Sequence, residues 1–193
     1  LQEISSDFPS DDSQSLYERI PFSEDKIKLS SLENSGIFIS RGNALENINN
    51  ISESNLIWTS GVETWKKLAK KGVWVNGSSD SLGEKENPPL DIFDKIKWYK
   101  LSHKDAEEDQ LSLISTYELI PKEMPDNIEE NSHFYWMSAS SFKLVFEKFP
   151  SIESANHSCG MGKTFDEINQ LIPGKVYPYQ NYQDWLEKVK LAK

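Results

Sequence analysis

The sequence predicts an α/β protein made of two similar half-size domains, each built on a parallel sheet. Short apolar runs rich in β-branched and aromatic residues alternate with segments of helical periodicity, the pattern of strand–helix–strand units. The alternation also occurs twice in the same order. IFIS…LIWTSGVETWKKLAKKGVWV corresponds to YWMS…NHSCGMGKTFDEINQLIPGKVY. Each copy has a strand ending in Ser, a helix, a strand ending in Gly, a helix opened by Thr, and a strand after Gly. Such an internal repeat favours two small sheets over one continuous sheet.

Residues 36–40 (GIFIS) and 56–59 (LIWT) read as the first two strands. A helix over 63–71 follows, with Trp65, Leu68 and Ala69 on one face, and Gly72 stops it as a C-terminal cap. The run 73–75 (VWV) reads as a strand, 76–84 as a loop, and 87–89 (NPP) as a break. Two more strands are expected at 96–101 and 113–119. The polar stretch 103–110 between them has room for no more than two helical turns. In the second copy, strands at 134–137, 156–159 and 174–177 alternate with helices at 140–149, 164–171 and 182–189. Phe142, Val145 and Phe146 fall at helical spacing, and Trp185 faces inward. All six tryptophans, at 58, 65, 74, 98, 136 and 185, are expected to face the cores. Residues 1–15 are acidic, Ser-rich and aperiodic, and read as a linker or as the end of something begun upstream.

A chain of 193 residues can bury one good core or two small ones. With 31 acidic against 21 basic residues the net charge is -10, which argues against nucleic acid or an anionic membrane as partner. No apolar run approaches the roughly 20 residues of a membrane helix. The first residues lack the basic and apolar regions of a signal peptide. A single cysteine, Cys159, excludes an internal disulfide framework and fits a reducing cytoplasm, where the chain is placed.

The stretch TYELIPKEMPDNIEENSHFYWMSASSF followed by NHSCGMGKTFDEI resembles the uroporphyrinogen-III synthase family. The matching features are a Tyr-bearing connector, a strand with a Ser-x-Ser turn, and a strand leading through Gly into a Thr-bearing helix start. Upstream, SGIFISRGNALE and SGVETWKKLAKKGVWVNGSSDSLGE look like the other copy of the same pattern. The resemblance covers about residues 15–193 and rests on the order of the parts. It implies two flavodoxin-like α/β domains joined by a two-stranded connector. The inserted domain would span 23–114, and a discontinuous one 1–14 plus 122–193, with connectors at 15–22 and 115–121. The family's chain normally opens with a strand and helix of the discontinuous domain, and no such strand is evident here. That domain is therefore expected to have only three strands, an unpaired place in its sheet and lower stability. Coupling or fusion to the preceding enzyme of the pathway is the matching expectation upstream.

The implied substrate is hydroxymethylbilane, a linear tetrapyrrole with eight carboxylates. Its terminal hydroxyl leaves as water, the ring closes through a spiro intermediate, and the last pyrrole is inverted. The resemblance implies no metal and no organic cofactor. Holding this polyanion is a demanding task for an acidic chain with only two arginines, Arg19 and Arg41. Free backbone N–H groups and hydroxyls at helix starts offer one solution. Ser40, Ser60, Thr64, Ser138, Ser140 and Thr164 would line the strand C-ends, with Lys163 meeting a carboxylate. Each could equally be an ordinary helix cap. Tyr117 matches the connector tyrosine and would donate a proton or hydrogen bond to the departing hydroxyl; the competing reading is a packed strand aromatic.

Three other patterns lead elsewhere. Gly160-Met-Gly-Lys-Thr164 suggests a phosphate loop, but His157 stands where its first glycine should be. His157 and Cys159 alternate on a short strand without a partner pair for a metal, and His103 and His133 are isolated. From other classes, a non-catalytic module of the same fold and a two-lobed binder of a small anionic ligand stay open.

Overall fold

The structure, a computed structural model, describes residues 7–10, 14–21, 29–45, 51–79, 95–106 and 111–191. The chain divides into two compact units, Leu1–Glu18 with Pro121–Lys193, and Arg19–Ile120. Each has its own sheet and core.

The six-stranded sheet, which falls mostly in the unit Arg19–Ile120, has the strands β2 (Tyr17–Pro21), β3 (Gly36–Ile39), β4 (Leu56–Thr59), β5 (Gly77–Ser78), β6 (Trp98–His103) and β7 (Ser112–Pro121). Their order in the sheet is β2-β7-β6-β3-β4-β5. The pairs β3–β4, β3–β6, β4–β5 and β6–β7 are all parallel. All four residues of β3 are buried, as expected of a central strand covered on both faces. Ile37, Ile39, Leu101 and Ile114 have no exposed surface and form the core with Leu29, Leu45 and Leu68. The opposite face packs Phe38, Trp98 and Leu111. Lys100, on β6, is only 1 % exposed and is partnered.

Helix α1 (Val62–Ala69) joins β4 to β5. It ends as the sequence suggested: Gly72 sits at φ 78, and the Val73 N–H bonds back to Leu68 O at 3.1 Å. The strand expected at 73–75 instead pairs as β5, at Gly77–Ser78. The turned-back cap delays the chain's return to the edge of β4, which it reaches only when Asn76 N bonds Ile57 O at 2.8 Å. Gly77 is there for room, since an added Cβ would lie 2.3 Å from Trp58 Cζ3. The tryptophan expectation needs a matching correction. Trp98, Trp136 and Trp185 are buried and Trp58 half-buried, but Trp65 is 45 % and Trp74 81 % exposed. Leu68 is the one buried residue of α1; Trp65, one turn earlier on the same side of the helix, is left uncovered. The stretch expected at 103–110 begins with a turn, Ala106 N to His103 O at 3.1 Å; 107–110 lie outside the described residues.

In the other unit the sheet order is β1-β8-β9-β10, all parallel, with β1 at Asp7–Phe8, β8 at His133–Trp136, β9 at Asn156–Gly160 and β10 at Val176–Tyr179. Helices α2 (Ala139–Lys148) and α3 (Lys163–Leu171) supply Phe142, Val145 and Ile168 to one face. Helix α4 (Tyr182–Leu191) covers the other with Trp185 and Val189 against Tyr135. Strand β1 corrects the three-strand expectation. Phe8 is 5 % exposed, lies 6.1 Å from the Phe134 ring and 5.9 Å from Trp136, and gives β8 a neighbour on each side. A two-residue strand shows no periodicity, so the acidic stretch around it masked it.

Beneath that core lies His157, with no exposed surface. Trp136 Nε1 donates to its Nδ1 at 3.0 Å, and its Nε2 lies 2.7 Å from Ile152 O. An indole only donates and a carbonyl only accepts, so the ring is neutral with its proton on Nε2. Burial, ahead of every other influence, lowers its pKa; the Ile152 contact opposes this and Lys175 adds to it. Cys159 is equally buried, and burial pushes its thiol up to about 12. Both residues are structural.

Candidate functional site

In each unit the parallel strands end together at one edge, where helices begin. The unit Arg19–Ile120 also has a point at which strand order reverses. Its first central strand, β3, lies between β4, the next in sequence, and β6, a later one. Open α/β sheets bind ligands outside the strand C-ends at such a point.

At that edge Ser40 follows β3. Its hydroxyl donates to Leu101 O at 2.9 Å and lies 3.2 Å from Ser102 Oγ. Ser60 follows β4, and its hydroxyl donates to Ser40 O at 2.6 Å. The two serines thus tie the ends of β4, β3 and β6, and their protons are committed to backbone. Thr64 differs. It lies in the first turn of α1, half-buried, and its hydroxyl has no partner among the described residues. Gly61 precedes the helix without a side-chain cap, in extended backbone, so the first N–H groups of α1 lack the usual capping oxygen.

Tyr117 stands on β7 opposite His103 on β6, where the register shifts between Ser102 and His103. The two rings are 6.1 Å apart. Thr116, beside the irregularity, is buried and its hydroxyl has no hydrogen-bond partner among the described residues. Bulges of this kind re-aim side chains near sites. Tyr117 itself is 4 % exposed and packs with the core of its unit.

At the strand-end edge of the other unit, Ser138 caps α2. It accepts from Ser141 N at 3.2 Å and lies 3.0 Å from Ser140 Oγ and 2.9 Å from Ser141 Oγ. Ser140 is exposed. Beyond β9 the chain turns through Met161 and Gly162, the latter at φ 91, into α3 at Lys163. Gly162, and not Gly160, therefore occupies the place that Gly61 has in the other copy. Thr64 is the third helical residue and Thr164 the second. Thr164 is half-buried, with no hydroxyl partner among the described residues. Lys163 Nζ is 4.0 Å from Glu167, whose carboxylate also pairs with Lys143.

Met137 and Met161 were not singled out by the sequence reading. They stand 38 % and 59 % exposed at the ends of β8 and β9, beside the hydroxyls. Tyr17 was missed too; its hydroxyl donates to Ser140 O at 3.2 Å. Strand-end position was a usable signal for the methionines, but no signal pointed to Tyr17. Among the described residues no group of three or more His, Cys, Asp or Glu could hold a metal, and no helix is long and apolar enough to cross a membrane.

A solved structure of uroporphyrinogen-III synthetase from Helicobacter pylori superposes with a TM-score of 0.59, covering 92% of this chain and 91% of that one at 14% identity. The chain has the fold of uroporphyrinogen-III synthase. Two structures of the Thermus thermophilus synthase give TM-scores of 0.48 and 0.44 at 11% identity. The first covers 83% of this chain and 70% of that one, the second 91% and 86%. No family model and no curated protein sequence matches the chain. At these identities the synthase likeness is one of fold.

Proposed function

We propose that the chain is a uroporphyrinogen-III synthase, a lyase that closes hydroxymethylbilane with loss of water and inversion of the last pyrrole. The observation that carries this reading is the fold match over nearly the full length of both chains. It is supported by strand-end edges where the Thr64 and Thr164 hydroxyls have no partner among the described residues and where Ser140, bonded to Ser138, stands exposed. On this reading the substrate's carboxylates are held by those hydroxyls and by the open N–H groups of α1, with Lys163 adding charge. The serines at 40, 60 and 138 shape the edges through their backbone bonds. Met137 and Met161 offer apolar contact for pyrrole rings. Tyr117 retains the role of hydrogen-bond donor to the departing hydroxyl. The leaving group is already activated by its pyrrole, so positioning dominates the rate.

One observation favours a second reading. Tyr117 is packed in a core, as it would be in a non-catalytic binder of anionic ligands with this fold. Expressing the chain in a bacterium deprived of its own synthase separates the two. Growth without added haem supports the enzyme; continued haem requirement with the protein present and folded contradicts it.

A further inference from the structure

Resting on that reading, we propose that Lys67 is a substrate-binding residue of the unit Arg19–Ile120, its ammonium receiving a carboxylate of the tetrapyrrole, and that Gly42 exists to seat it. Gly42 opens the 3-10 turn Gly42–Leu45 just beyond β3 and is buried. Its backbone is not among the positive-φ glycines, so any residue could adopt its conformation. What sets it apart is a tight contact with a side chain. An added Cβ would stand 3.0 Å from Lys67 Cδ and 3.1 Å from Lys67 Cβ. To admit a side chain at 42 the lysine stem would have to give by a few tenths of an ångström.

Lysine stems commonly lie along apolar surface, but two further facts give this one a direction. Helical side chains lean toward the N-terminus of their helix, and α1 begins at the C-end of β4. Lys67, in the second turn, therefore leans toward the edge that carries Ser40, Ser60 and Thr64. Second, six other lysines have carboxylate partners: Lys66 with Glu63, Lys104 with Glu118, Lys143 and Lys163 with Glu167, Lys175 with Glu153, and Lys188 with Asp184. In a chain of net charge -10, no carboxylate among the described residues lies within ion-pair distance of Lys67; Glu63, four residues earlier, acts on it only through space and makes its direct bond to Lys66. A seated, unpaired cation at a strand-end edge suits a polycarboxylate and supplies what two arginines cannot.

The test uses the intact chain and uroporphyrin I, a fluorescent tetrapyrrole with eight carboxylates, alongside the cyclisation assay. Lys67→Met keeps the stem and removes the charge. It should weaken porphyrin binding and raise KM roughly tenfold, the scale of one well-placed charged contact, with kcat changed less than twofold. Lys67→Arg should retain most of the affinity. Gly42→Ala should lose part of it while the urea midpoint shows the protein folded. Equal porphyrin affinity in the parent and Lys67→Met, or no binding by the parent, overturns the inference. If the parent binds porphyrin through Lys67 yet forms no type III isomer, the enzyme reading fails and the anion site stands.

Discussion

Acidification should destabilise this protein through His157, in a direction that follows from its burial and its two hydrogen bonds. Trp136 and Ile152 hold the ring in its neutral Nε2–H form, so a second proton would displace the Trp136 bond and place a charge in a core. The native pKa lies below the ordinary 6.5, while the unfolded chain titrates near it. Below pH 6.5 the unfolded state therefore binds the extra proton, and stability falls as pH falls. Above pH 6.5 both states are neutral and the effect vanishes. The slope has an upper limit of about 1.36 kcal/mol per pH unit, reached only where the unfolded ring is charged and the native one neutral. Urea denaturation at pH 7.5, 6.5 and 5.5, compared between the parent and His157→Phe, isolates this contribution from the many carboxylates. The variant is expected to be less stable at pH 7.5 by about 1–3 kcal/mol, because Trp136 Nε1 is left without an acceptor. Its pH slope should be shallower than the parent's. Ring NMR should show His157 as the Nε2–H tautomer at pH 6. Identical slopes in the two proteins, or an imidazole titrating at 6.5, would refute the reasoning.

Cys159, buried with its thiol raised to about 12, should resist a thiol reagent at pH 8 in the native protein and react fully in denaturant; prompt native labelling would contradict its burial. Gly36→Ala puts a Cβ 2.1 Å from Trp98 Cδ2. It should cost about 1–3 kcal/mol through overpacking, read as a lower urea midpoint, and an unchanged midpoint would show that Trp98 yields freely. Thr64→Val and Ser138→Ala should differ in kind. The threonine hydroxyl makes no bond among the described residues, so its loss should weaken substrate binding by about 1.5–3 kcal/mol with stability unchanged. Removing the serine cap should cost about 1 kcal/mol of stability. Tyr117→Phe should lower kcat more than it raises KM, and parent-like kinetics would leave Tyr117 as packing alone.

The elements with strong periodicity were legible in the sequence: the GIFI strand, the strand read at 134–137 and found one residue earlier at His133–Trp136, the helix through Phe142 and Val145, and the Gly72 stop. Each carries its signal within a few residues. The short strand Asp7–Phe8 was not legible, because two residues have no period, and its place is set by Phe8 packing on Phe134 and Trp136. The outward turn of Trp65 and Trp74 was hidden because an aromatic is apolar whichever way it faces. The repeat placed the two helix starts correctly to within a residue, but which glycine caps α3 depended on the positive φ of Gly162. The hydroxyls at the strand ends were all foreseeable. Which were spent on backbone carbonyls, as at Ser40 and Ser60, is a matter of tertiary geometry. So is the Gly42–Lys67 contact, which joins residues 25 apart in sequence.

The most direct test of the central claim is the isomer composition formed from enzymatically generated hydroxymethylbilane, with and without the purified chain. After oxidation to porphyrins, chromatography separates type III from type I uroporphyrin. The synthase reading predicts that the type III isomer dominates and rises in proportion to added protein. Type I alone, accumulating at the rate seen in buffer, would contradict it.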